Sequence, residues 1–132
     1  MKKLPESELE VMMKIWEAKE PVCRFELEEA LAENEWAPTT ILTLLSRLET
    51  KGFIQSQKRG KVKYYEPLIS ENEYVSNESK GMLERFFGNS LKKFVVCMAK
   101  QENFSDEELE ELRVFLEEQK EKHNNDDEKE EA

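Results

Sequence analysis

Four short hydroxyl side chains, Thr39, Thr43, Ser46 and Thr50, share one side of a helical spacing in "APTTILTLLSRLETKGF" (37–53), with Leu42 on one flank and Arg47 on the other. A face this short and uncharged fits into a DNA groove, where short hydroxyls can approach base edges closely. The segment "KGFIQSQKRGKVK" (51–63) supplies Lys51, Lys58, Arg59, Lys61 and Lys63 and no acid. Cations at that density suit phosphate oxygens. The two sets together suggest groove reading by one element and backbone neutralisation by its neighbour.

Other chemistries have little to work with. The one histidine, His123, sits in the polar tail "HNNDDEKEEA", and the two cysteines, Cys23 and Cys97, belong to no CxxC or CxC pattern. Both cysteines are expected to be buried as small hydrophobes. No Gly-rich phosphate loop is present, so a catalytic triad, a nucleotide site or a histidine-based metal site has no constellation to build on. The many carboxylates alternate with lysines on helical faces, as solvated surfaces do. The expectation is a protein that is not an enzyme and carries no cofactor and no metal.

A formal net charge of -10 speaks against nucleic acid until its distribution is considered. Residues 1–69 hold 11 Lys and Arg against 12 Asp and Glu, whereas residues 70–132 hold 9 against 18. The acidity therefore belongs to the second half. At physiological salt, charges beyond about 8 Å are largely screened, so a local basic patch can meet phosphates on an acidic protein. The chain has no run of about 20 apolar residues that could span a membrane, and "MKKLPESELE" has no signal-peptide apolar core. A cytoplasmic protein without membrane insertion is expected.

The elements that must position these residues are legible as a pattern. A first helix is expected from Pro5 to Ala18, with Leu9, Met12, Met13 and Trp16 at i, i+3, i+4, i+7; a second from Arg24 to Glu33, with Leu27, Ala30 and Leu31 on one side. A third starts at Pro38, carries Ile41, Leu44, Leu45 and Leu48 as its apolar face and ends before Gly52. "FIQSQK" and "KVKYYEP" then read as two strands joined by a tight basic turn at "RG". Three helices followed by a hairpin is the order of a winged helix-turn-helix, in which the third helix enters the major groove and the wing lies along the backbone.

Beyond residue 70 the pattern changes to long helices. "SLKKFVVCMAKQ" (90–101) places Leu91, Phe94, Val95 and Met98 on one face, thickened by Val96, Cys97 and Ala99. "SDEE" (105–108) is an S-x-x-E capping box, followed by Leu109, Leu112, Phe115 and Leu116. These faces have no large core of their own, so a second copy of the chain is the economical cover. The fold class expected is mainly α. It comprises a winged helix-turn-helix domain (1–70), a helical dimerisation domain (71–122) and a disordered acidic tail (123–132).

The stretches "LPESELEVMMKIWEAKEPV", "EWAPTTILTLLSRLETKGFI", "YYEPL" and "SLKKFVVCMAKQENFSDEELEELRVFLEE" resemble the penicillinase repressor family (BlaI/MecI), which has the CopY copper repressors as relatives. The likeness spans about residues 4–120, and its most specific part is the run from Trp36 and Pro38 through Thr40, Thr43 and Arg47 to Lys51 and Gly52. The resemblance implies a homodimeric transcriptional repressor that binds double-stranded DNA at a palindromic operator. It also implies, in the β-lactam branch, release through cleavage after activation of a membrane-bound sensor protease. By position, Trp36 and Pro38 would set the entry of the recognition helix, with Thr39, Thr40, Thr43 and Arg47 facing DNA. Lys51, Lys58, Arg59, Lys61 and Lys63 would hold phosphates.

The chain departs from the family pattern in three ways. Ala37 replaces the usual N-cap serine, while Thr39 and Leu42 stand where basic residues are common; Leu42 is then free to meet a thymine methyl. Cys97 and Met98 occupy the position of the scissile Asn-Phe pair, and the "NF" at Asn103 and Phe104 is out of register, which argues against that cleavage. The paired CxC motifs of the copper branch are absent. Two other readings are a small-molecule-sensing regulator, with its ligand near Phe86, Phe87 and Phe94, and a winged-helix protein-interaction adaptor, whose sign would be a neutral wing.

Overall fold

A computed structural model describes residues 1–131. The order is α1 (Glu6–Ala18), β1 (Val22–Cys23), α2 (Arg24–Ala30), a 3-10 turn (Ala32–Asn34), α3 (Pro38–Thr50), β2 (Ile54–Arg59), β3 (Val62–Pro67), α4 (Glu71–Phe87), α5 (Leu91–Gln101) and α6 (Asp106–Glu131). The chain forms two compact units, Met1–Met82 and Leu83 onward. The sequence reading places the first turns of α4 in the second domain, yet they pack with the first unit. Tyr74 is the reason: its hydroxyl accepts from Leu4 N–H at 2.8 Å, and its ring lies 5.8 Å from Trp16 and 5.7 Å from Phe53.

In the first unit, Ile41, Leu44, Leu45 and Leu48 of α3 are buried as expected, against Val11, Met12, Ile15 and Trp16 of α1, Leu27 and Leu31. The face of α1 differs from the sequence reading. Met13 is 39% exposed, and the buried stripe is Glu8, Val11, Met12, Ile15 and Trp16. A helical series that begins on the carboxylate Glu8 carries a weaker apolar signal than the neighbouring series from Leu9. Ala30 likewise lies on the exposed side of α2.

The sheet has the order β1-β3-β2, antiparallel throughout. The strands β2 and β3 form the expected hairpin from Ile54↔Pro67 to Arg59↔Val62, which places the turn at Gly60 and Lys61, one residue later than read. Gly60 takes φ +69, where glycine has no steric cost. The two-residue strand β1, which was not foreseen, adds Val22↔Tyr65 and Cys23↔Tyr64. It ties the start of α2 to the wing.

In the second unit, α5 is capped by Ser90, whose Oγ accepts from Lys93 N–H at 3.1 Å, and α6 by Ser105, which accepts from Glu108 N–H at 3.1 Å. Phe87 and Phe94 meet edge to face at 5.4 Å. Every buried hydrophobic residue among those described lies between Leu4 and Tyr74. Leu91, Val95, Val96, Leu109, Leu112, Val114, Phe115 and Leu116 are exposed, and so is Cys97, contrary to expectation. A thiol on a helix without an apolar neighbour to cover it has nothing to be buried by. The tail also differs from its expectation: α6 runs through residues 123–131, where composition argued for disorder. Glu and Lys are good helix formers, and His123 lies 3.5 Å from Asp127 one turn on. Ala132 lies outside the described residues.

Candidate nucleic-acid interface

Helix α3 is fixed at both ends by local chemistry. Pro38 stands at its first position with φ already helical, and Ala37, extended at ψ 151, offers no side-chain cap. At the other end Phe53 N–H donates to Leu48 O at 3.0 Å and Gly52 N–H to Glu49 O at 3.1 Å, with Gly52 at φ +81. This is a Schellman closure, and its apolar partners Leu48 and Phe53 are both buried. It turns the chain directly from α3 into the first strand of the wing.

The wing is held against α3 by one further bond, and the base of the hairpin is closed by another. Ser56 Oγ donates to Glu49 Oε1 at 2.6 Å, and Leu68 N–H donates to Phe53 O at 2.8 Å. A helix and hairpin coupled in this way present one surface. Thr39, Thr40, Leu42, Thr43, Ser46, Arg47 and Thr50 are exposed along α3, and Lys58, Arg59, Lys61 and Lys63 along the wing. Thr43 Oγ1 donates to Thr39 O at 2.9 Å, which leaves its lone pairs directed outward as acceptors. The Arg59 guanidinium stacks 4.9 Å from the Tyr64 ring centre on the opposite strand, so that its planar fork is steadied at the wing edge.

One expected phosphate ligand is otherwise engaged. Lys51 Nζ lies 2.6 Å from Glu8 Oε1, and Glu8 is 2% exposed. The pair links the C-terminus of α3 to the first turn of α1. Lys51 therefore serves the position of the helix, a role its place in a basic run gave no sign of.

The start of α2 completes the surface. The Glu26 carboxylate accepts from Cys23 N–H at 3.5 Å and from the Cys23 thiol at 3.3 Å. Arg24 lies 4.7 Å over the Phe25 ring, and its Nε is 3.3 Å from Glu28 Oε1. That Glu28 oxygen is buried without a hydrogen bond, so the attraction is one of charge and not of aligned donor and acceptor. Behind the wing, burial pushes the Tyr65 hydroxyl above its usual pKa, with Glu49 adding to the shift and Arg24 opposing it. Among the described residues, no group of His, Cys, Asp and Glu is placed to hold a metal ion, and no helix is long and apolar enough to cross a membrane.

A family model described as penicillinase repressor matches residues 4–118, nearly the whole of this arrangement. The chain belongs to the penicillinase repressor family. It is similar to the penicillinase repressor of Bacillus licheniformis, at 37% identity over 123 residues, covering 91% of this chain and 96% of that protein. It is also similar to the methicillin resistance regulatory protein MecI of Staphylococcus aureus (strain N315), at 34% over 110 residues, covering 83% and 89%. The crystal structure of MepR, a transcription regulator of the Staphylococcus aureus multidrug efflux pump MepA, has a TM-score of 0.51 at 14% identity, over 91% of this chain and 80% of that one. That likeness concerns the fold. Membership of the penicillinase repressor family places the protein among transcriptional repressors and not among enzymes. The family match ends at Glu118, so the last turns of α6 lie outside it.

Proposed function

We propose that the protein is a cytoplasmic homodimeric repressor that binds a palindromic DNA operator, with α3 in the major groove and the wing on the backbone. The observation that carries this reading is the continuous exposed surface of α3 and wing, hydroxyl-rich on the helix and cationic on the hairpin, held as one body by the Schellman closure and the Ser56–Glu49 bond. Thr39, Thr40, Leu42, Thr43, Ser46 and Arg47 address base edges, and Lys58, Arg59, Lys61 and Lys63 address phosphates.

Dimerisation is assigned to the second unit. Leu91, Phe94, Val95, Met98, Phe104, Leu109 and Leu112 line a groove of about 550 Å³ between α5 and α6, and Phe115 and Leu116 continue it as exposed apolar residues. Surface of this kind is characteristic of a protein-protein interface, and a second copy supplies the same face in return. Release from DNA follows a signal acting on this unit. A membrane-bound sensor protease is one such agent, although Cys97 and Met98, at the family's cleavage position, do not offer the Asn-Phe pair. A basic wing disfavours the adaptor reading, and the groove leaves a small-molecule inducer as the second reading.

The test is selection from random duplexes followed by footprinting on the protein's own promoter. A two-fold symmetric protected site, with affinity falling by about 0.9 log units per log unit of salt for each phosphate contact, is the expected result. Binding that ignores salt, or no enriched sequence, would sink the reading.

A further inference from the structure

On the flank of α3 nearest the wing the polar surface is interrupted. Leu42 is 40% exposed and Phe25, at the start of α2, 58% exposed. They line one groove of about 200 Å³ with Val62 and Tyr65, and the charged groups at its rim are Arg24, Lys61 and Lys63. Single exposed leucines are ordinary on protein surfaces. An apolar floor bordered by Lys61 and Lys63, with Arg24 drawn to Glu28, is not, because the lysines select a phosphate-bearing partner and the floor repels polar groups. The partner that satisfies both is DNA presenting an apolar group beside its backbone.

On the major-groove edges of the four base pairs, thymine's 5-methyl is the apolar group. The nitrogen and oxygen atoms on those edges are donors or acceptors, which Leu42 would desolvate without replacing their hydrogen bonds, and the C–H of cytosine C5 lacks the methyl's apolar bulk. We propose that this groove receives a thymine methyl, and that Leu42, backed by Phe25, selects an A·T pair at one position of each half-operator. The proposal rests on the reading of α3 as the groove-reading helix. It adds a residue whose contribution to specificity is apolar, next to the hydroxyls and Arg47.

The experiment starts from the duplex enriched by selection from unmethylated random DNA, so that thymine is the source of any 5-methyl group. Each thymine is replaced singly by deoxyuridine, which deletes the methyl and keeps the pairing. For the wild-type chain, one replacement per half-site is expected to weaken binding roughly fourfold, the worth of one buried methyl-sized group. Leu42→Ala, a change at an exposed position that leaves the core intact, is expected to bind thymine and uracil duplexes equally at that position. Phe25→Ala should reduce the discrimination in the same place. The proposal is overturned if no thymine is sensitive in an otherwise sequence-specific complex, if Leu42→Ala keeps the wild-type uracil profile, or if it weakens all duplexes alike. Failure to bind any duplex overturns instead the DNA reading itself, and this proposal with it.

Discussion

The ammonium of Lys51 and the carboxylate of Glu8 lie 2.6 Å apart across 43 positions of sequence, and Glu8 is among the most buried residues of the first unit. Lys51 caps the C-terminus of α3, where a cation also complements the helix dipole. Removing the lysine strands a buried carboxylate. Because the Lys51 side chain is 31% exposed, water softens the loss, and Lys51→Ala is expected to destabilise the protein by about 2 kcal/mol, below the range for a fully buried pair. Replacing both partners by methionine should recover most of it. Chemical denaturation of the wild type and the two variants checks this, and a neutral Lys51→Ala would show that the pair contributes nothing.

The same pair separates two kinds of cation on the DNA-facing surface. Lys61→Ala should lower the salt slope of DNA binding by about 0.9 for each bound subunit and weaken operator and scrambled duplexes alike. Arg47→Ala should weaken the operator far more than the scrambled duplex, since its guanidinium lies on the helix proposed to read base edges. Lys51→Ala should leave the slope almost unchanged. Salt titrations on both duplexes distinguish the three, and identical profiles for Arg47→Ala and Lys61→Ala would refute their separate roles.

The sequence carries the architecture of the first unit because its periodicities are strong: the stripe Ile41, Leu44, Leu45, Leu48 and the alternation around Tyr65 leave few other packings. What escapes is decided by contacts between distant segments. Glu8 looks like surface until Lys51 arrives from α3. Val22 and Cys23 look like a loop until β3 offers an edge. In the interface, the exposed residues of α3 and the wing follow from helical and strand spacing, whereas Phe25 enters only because β1 docks the start of α2 beside them. Cys97 shows the converse, a residue of an apolar helix face that stays exposed among the described residues.

The uncapped start of α3 offers a gain in stability. Ala37 has the extended backbone of an N-cap residue, and its carbonyl accepts from Thr40 N–H at 2.9 Å, but it has no side-chain oxygen to accept from the first turn of the helix. Ala37→Ser supplies one, and should stabilise the protein by about 1 kcal/mol, a rise in Tm of roughly 4–8 °C for a domain of this size. Thermal unfolding without DNA measures it. An unchanged or lower Tm would mean that the cap site is not free to form.

Finally, the second unit should determine assembly without bearing on the fold of the first. Leu112 and Phe115 are exposed on α6, whereas the buried core among the described residues ends at Tyr74. A charge at Leu112 therefore disrupts nothing within the winged unit, yet in a dimer it would be buried without a partner, at a cost of several kcal/mol. Leu112→Asp is expected to sediment as a monomer at micromolar concentration, with an unchanged Arg47-dependent preference for a half-site and a large loss of affinity for the full palindrome. Sedimentation velocity with half-site and full-site titrations reads both effects. A variant that still sediments as a dimer would move the interface away from α6, while equal affinity for half and full sites in the wild type would show that the two copies do not bind DNA together.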